Sequence, residues 1–331
     1  MDKRSVVVTG GAGFIGSYVA RELRRRGRAV VLYDVRSPSA EAAFVLGDLM
    51  DGVSIEEGAV DNWPRLLQAV EAHRPREVVH VAAITNPVFL AKNPMPAIQV
   101  NFLGLINVLE AARLFGVKRV VNFSSIGVLP SVQYEPIDAN HPVLLAGEGS
   151  GSGFYGAAKA AGEAFSFAYH QGFGLDVRTI RPSAVYGFGM QWPIYVKPMV
   201  ERAVRGEPVR IDTGGPVPRD YTHVADVASL SAAVLEAPDE ADRIFYAATG
   251  ESLVTAAEVA QIIRELGPGA DIEIADALGP NDHLELRYRG RVSIENARRQ
   301  LGWSPAFASV RDGIADYVDR YRAFLAAERG A

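Results

Sequence analysis

No cysteine occurs among the 331 residues, which excludes disulfides, thiolate nucleophiles and thiolate metal sites. Nor does one sign of charge dominate. The 34 basic residues face 39 acidic ones, and a net charge of −5 leaves no electrostatic footprint for nucleic acid. No apolar run approaches the roughly 18 residues of a membrane span. There is no internal repeat, and a strand with a glycine turn occupies the place where a signal peptide would need its apolar core. These absences lead us to expect a soluble, cytoplasmic protein without membrane, nucleic-acid or metal partners. The length exceeds what one compact core usually holds, so a large domain with a smaller appendage is expected.

What is present starts at once. The β-branched run Ser5-Val6-Val7-Val8-Thr9 stops at Gly10, Gly13 and Gly16, and a helical pattern with Val19, Ala20 and Leu23 on one face follows directly. Strand, tight turn, helix is the order that brings backbone close to a pyrophosphate and aims the free N–H groups of a helix start at it. Glycines also serve ordinary turns, so the context matters. The next strand, Ala29 to Tyr33, ends on Asp34, about where a ribose-binding acid belongs. A carboxylate there accepts from the 2′-hydroxyl and repels a 2′-phosphate, so the expected cofactor is NAD and not NADP, although Arg36 lies close by.

Further along, Gly47-Asp48-Leu49 resembles a cofactor-contacting turn but precedes the third strand, Val53 to Glu57, and is read as a decoy. Adenine is expected near Ala59 and Val60, with Asp61 capping the next helix and Pro64 in its first turn. The fourth strand, Val78 to Ala83, ends in the small residues Ala82 and Ala83, which leave room for a cofactor, and its His80 reads as a core histidine. A helical pattern spans Ala97 to Phe115. The fifth strand, Arg119 to Phe123, then leads into Ser124 and Ser125, and the sixth covers Val177 to Arg181. This alternation predicts a parallel, doubly wound α/β sheet, a Rossmann domain over residues 1–185. A mainly substrate-binding region over 186–331 would follow, with some segments returning to the sheet. In that region Thr255 to Glu258 reads as a capping box, and a last amphipathic helix covers about Val310 to Leu325.

The chemistry centres on Tyr155 and Lys159, which four-residue spacing puts on one helical face. A phenol titrates near 10, so Tyr155 needs its anion stabilised before it can act as a base, and Lys159 is placed to do that. Ser125 can hold the substrate oxygen while Tyr155 takes its proton. The glycines at 147, 149, 151 and 153 run straight into Tyr155 and read as a rim of the site, or as a plain linker. Arg219 reads as an anchor for a phosphate or carboxylate, or as a structural ion pair with Asp220 or Asp226.

With these motifs in view, the chain resembles the extended short-chain dehydrogenase/reductase family, in its branch of NAD-dependent sugar epimerases and dehydratases. The resemblance rests on Thr9 to Gly16, His80-Val81-Ala82-Ala83, Asn101-Phe102-Leu103-Gly104, Phe123-Ser124-Ser125 and Tyr155 with Lys159. It extends to Arg181 to Gly187, Arg219 to Ala228 and Leu301-Gly302-Trp303-Ser304-Pro305. It implies a catalytic triad of Ser125, Tyr155 and Lys159. It implies an NAD site of Gly10, Gly13, Phe14, Ile15, Gly16, Asp34 and Val60, joined by Ala59, Ala82, Ala83, Asn101, Pro182, Tyr155 and Lys159. Thr85, Ser125, Ile126, Tyr155 and Arg219 would meet the substrate, and helices 97–115 and 155–171 would pair two copies in a homodimer. The departures concern substrate. Ile126-Gly127 stand where family dehydratases carry an Asp-Glu pair, so dehydration is not expected. Ala184, Tyr195 and Ala59 replace residues that usually contact a sugar nucleotide or the adenine. The expectation is an NAD-dependent dehydrogenase acting on a secondary alcohol of a small sugar-like or polar substrate. The alternatives are a nucleotide-sugar 4-epimerase with tightly bound NAD and a non-catalytic NAD-responsive binding protein.

Overall fold

Strands without a polar face must be covered on both sides, and the sequence places such runs between helical patterns. A computed structural model describes residues 5–145, 149, 151–191, 195–267 and 269–330. Its strands β1 (Val6–Thr9), β2 (Val30–Asp34), β3 (Val53–Glu57), β4 (Glu77–His80), β5 (Arg119–Phe123) and β6 (Asp176–Pro182) join a seventh, Ile244–Ala247, in one parallel sheet. From one edge the order is Ile244–Ala247, β6, β5, β4, β1, β2, β3. The order reverses between β1 and β4, and in an open α/β sheet the ligand crevice forms outside the strand ends at that point. Register aligns Thr9, His80, Asn122 and Thr179 as one polar row across four neighbouring strands.

Helices Trp63–His73, Gly104–Phe115 and Gly153–Phe173 cover one face, against Val7, Val31, Val78, Val120 and Val177. Helices Phe14–Arg25 and Val224–Leu235 cover the other. The segment 97–115 is long and apolar enough by composition to cross a membrane, which the sequence reading overlooked. Here it packs on the sheet through Leu105, Val108, Leu109 and Ala112, and its first turns, Ala97–Leu103, are a π-helix. Asn62, not Asp61, caps the helix at Trp63, its side chain accepting from the Arg65 N–H at 3.2 Å. The Thr255 capping box forms as the sequence predicts.

Beyond β6 the chain makes three two-stranded ladders and helices Val196–Arg205, Ala256–Leu266 and Val310–Gly330. The seventh sheet strand comes from this half. One buried cluster runs from Val6 and Val30 to Ile314 and Phe324, so the two halves share a core.

Candidate active site

The turn after β1 is shaped by close approach. Gly10 has φ +68°, and a Cβ there would meet the backbone of Ala82 at 2.7 Å. A Cβ on Gly16 would collide with the Gly10 carbonyl, so only glycine lets helix Phe14–Arg25 begin this near the strand. Gly13 caps that helix with no side-chain bond, which leaves its first-turn N–H groups facing the crevice for an anion. At the end of β2 the Asp34 carboxylate accepts from Ala12 N at 3.1 Å and Val35 N at 2.8 Å. Burial raises its pKa, and these backbone bonds oppose the rise. Ala59 and Val60 are held by their carbonyls, which accept from Tyr33 OH at 3.0 Å and Asn107 Nδ2 at 2.9 Å.

A single cavity of about 610 Å³ is lined by the glycine turn, Asp34, Ala59, Val60, Ala82, Ala83, Thr85, Ser125, Ile126, Tyr155, Lys159 and Pro182. Asn101 is a correction. It is buried outside the cavity wall, and both ends of its amide bind Ile84, at 2.8 Å to the N–H and 2.9 Å to the carbonyl. It positions the segment after β4 and does not face the cofactor crevice.

Ser125 follows β5 and accepts from Gly127 N at 3.0 Å, while its hydroxyl also hydrogen-bonds Tyr155. Tyr155, Lys159 and Glu163 lie at successive four-residue steps on helix Gly153–Phe173, hence on one face. The Lys159 ammonium donates to the Phe123 carbonyl at 2.6 Å and lies 5.9 Å from the Tyr155 ring centroid. Burial pushes the phenol up to about 12, against the lowering effect of the Ser125 hydrogen bond, and depresses Lys159 to about 8. Residues 147, 148 and 150 of the glycine-rich stretch lie outside the described residues. Gly151 is wedged against Leu129 and Tyr288, and Ser152 donates to the Tyr288 hydroxyl at 3.1 Å.

Arg219, expected as a substrate anchor or a structural ion pair, forms an ion pair: it is 2% exposed, is not among the residues lining the cavity, and keeps Nη1 buried without a partner among the described residues. Its Nε and Nη2 bind Glu285 at 3.0 and 2.9 Å, and its guanidinium stacks over Tyr195 at 5.0 Å. The partner is neither Asp220 nor Asp226. Facing the cavity instead are Glu285, Tyr288 and Arg289, which the sequence reading missed. Arg289 donates Nη2 to Glu285 at 2.7 Å, while its Nε and Nη1 are buried without a partner among the described residues. The only sequence signal was a Glu and an Arg four apart in the stretch Glu285 to Arg289. Backbone bonds tie this wall to the loop after β5: Val132 N to Arg287 O at 3.0 Å, Ile137 N to Arg291 O at 2.8 Å and Ser293 N to Ile137 O at 2.8 Å.

Residues 6–248 match the model of the NAD-dependent epimerase/dehydratase family. A UDP-glucose 4-epimerase of Mycolicibacterium smegmatis is 30% identical over 339 residues, covering 96% of this chain and 98% of the relative. Among solved structures, the UDP-glucose 4-epimerase of Thermus thermophilus in complex with NAD is 30% identical, with a TM-score of 0.79 over 96% of this chain and 99% of that one. The Thermotoga maritima UDP-glucose 4-epimerase with UDP-glucose has a TM-score of 0.82 at 26% identity, covering 97% and 99%.

Proposed function

The chain belongs to the NAD-dependent epimerase/dehydratase family, and from that membership we propose that it is a nucleotide-sugar 4-epimerase. It is an NAD-dependent enzyme of the extended short-chain dehydrogenase/reductase type that transfers hydride at a secondary alcohol. The observation that carries the substrate reading is the shared cavity. The glycine turn, the Ser125, Tyr155 and Lys159 group, and the Arg289 guanidinium, two of whose nitrogens have no partner among the described residues, all line it. The relatives, which are UDP-glucose 4-epimerases, support the same substrate class.

The residues present fit NAD: a glycine cradle that a Cβ would fill, an uncapped helix start for the pyrophosphate, and Asp34 for the ribose. Bound there, NAD supplies the hydride acceptor. Tyr155 Oη takes the proton of the substrate hydroxyl, and Ser125 holds the same oxygen by a hydrogen bond. Bringing a phenol from about 12 to neutrality takes about 7 kcal/mol of differential stabilisation. Lys159 supplies part of it, since a group titrating at about 8 is about nine-tenths ammonium at pH 7. Arg289 meets an anionic group of the substrate through Nε and Nη1.

One observation favours a second reading, a dehydrogenase for a small hydroxy acid. Glu285 cancels one of the two guanidinium charges at the anion end, which suits a single negative charge better than a diphosphate. Purified protein that carries NAD and interconverts UDP-glucose and UDP-galactose, without accumulating NADH, supports the epimerase. Release of NADH with hydroxy acids or free sugars, and none of this with UDP-sugars, refutes it.

Helices 97–115 and 153–173 also expose Leu103, Leu114, Phe165 and Phe173. We propose that these faces join two copies in a homodimer.

A further inference from the structure

Lys159 is almost fully buried, and a buried ammonium needs a compensating charge to stay protonated. One helical turn further on, the same face carries Glu163, also buried. Its carboxylate is held from two strands at once. Oε1 accepts from the Ser124 hydroxyl at the end of β5 and from Arg181 Nε at 2.9 Å, and Oε2 accepts from Arg181 Nη2 at 2.6 Å. Arg181, in β6, spends Nη1 on the Tyr246 hydroxyl at 2.8 Å. Ser124 and Arg181 flank Ser125 and Pro182, which line the cavity. The same carboxylate therefore fixes helix Gly153–Phe173 to the strands that carry the rest of the site.

We propose that Glu163 is a positioning residue for the reaction, whose buried carboxylate, pinned by Ser124 and Arg181, sustains the Lys159 ammonium beside Tyr155. The inference rests on Tyr155 and Lys159 being the acid–base pair. The charged and titratable groups around Lys159 come from several elements. The Lys159 ammonium lies over the Tyr155 ring and donates to the Phe123 carbonyl at the end of β5, Glu163 stands one turn along its own helix, and Ser124 is turned to Glu163. His80 in β4 bonds Thr9 and is held neutral by burial, its pKa down at about 3. Arg181 in β6 and Tyr246 beyond it are both turned to Glu163. On the covering helix Glu110 and Arg113 engage each other and Tyr169, nearly three turns from Lys159. Tyr288, on the facing wall, acts on Tyr155. Of the two anions in this set only Glu163 stands one turn from Lys159, and it opposes the burial that lowers Lys159.

The chain has five lysines, so the Cε resonances of protein labelled with ¹³C-lysine can be titrated, with Lys159 assigned by its loss in Lys159→Arg. The native midpoint is expected near 8. Glu163→Gln should lower it by about one unit or more, and the alkaline limb of turnover should move down with it. Glu163→Asp, which keeps the charge, should restore most of the shift, and Ser124→Ala, which removes only a hydrogen bond, should leave the midpoint in place. Should Glu163→Gln fail to fold, the pair variant Glu163→Gln/Arg181→Gln removes both buried charges and should still lower the midpoint. An unchanged midpoint in the folded variant, or an equal shift from Ser124→Ala, overturns the proposal. The titration needs no turnover, so it judges Glu163 even if Tyr155→Phe keeps its activity and the acid–base reading itself fails.

Discussion

Arg219 and Arg289 share the Glu285 carboxylate, but only Arg289 faces the cavity. Truncating them should therefore separate two kinds of loss. Arg289→Ala is expected to raise KM for an anionic substrate roughly 10- to 100-fold with a smaller effect on kcat, the scale of one lost charge-assisted hydrogen bond in uniform binding. Arg219→Ala removes a buried partner of Glu285 and the stacking on Tyr195, so it should lower unfolding free energy by about 1–3 kcal/mol. Steady-state kinetics beside thermal melts would expose an inverted pattern. Tyr155→Phe is expected to retain NADH binding, read by fluorescence, and to lose turnover by about 100-fold or more. A variant that turned over at near-native rate would remove Tyr155 from the chemistry.

Among the elements, the polar row across the sheet has an energetic signature. His80 sits fully buried between Thr9 and Asn122, with Nδ1 2.8 Å from Thr9 Oγ1 and Nε2 without a partner among the described residues. Its pKa falls from 6.5 to about 3, so between those values the unfolded chain binds the extra proton and stability drops as pH falls. The loss is about 1.4 kcal/mol per unit at most. Denaturant titrations from pH 7 to 4 should show that slope, and His80→Gln should flatten it. An unchanged slope would mean that other groups dominate the acid limb. The strands up to β6 and the glycine turn were legible because runs such as Val6 to Thr9 and the need for glycine at positions 10 and 16 are local. The strand Ile244–Ala247 was not, since its pairing with β6 spans more than sixty residues of chain. Asn101 was misplaced for a similar reason: its amide is spent on Ile84, a contact that only the π-helical turn brings about. Arg289 acquires meaning only once the wall that carries it closes over the cavity.

At the scale of the molecule, the proposed homodimer rests on the exposed faces of helices 97–115 and 153–173. Leu114 is 51% exposed and Phe165 45%, unusual for such side chains on a freely solvated surface. Leu114→Glu/Phe165→Glu should convert a dimer to a monomer in size-exclusion chromatography with light scattering, with the catalytic cavity intact. A wild-type monomer at micromolar concentration would dismiss the interface.

The wall of Glu285, Tyr288 and Arg289 is laced by backbone bonds to the loop that follows Ser125. The proposed function puts substrate preference on two stretches of chain, about 126–145 and 280–293, that must match each other before either can match a ligand. Grafting the later stretch alone from a relative would tear that lacing, whereas moving both together keeps it. Natural or engineered changes of substrate on this scaffold should accordingly arrive as paired exchanges, with the earlier segment altered at positions that never touch the sugar.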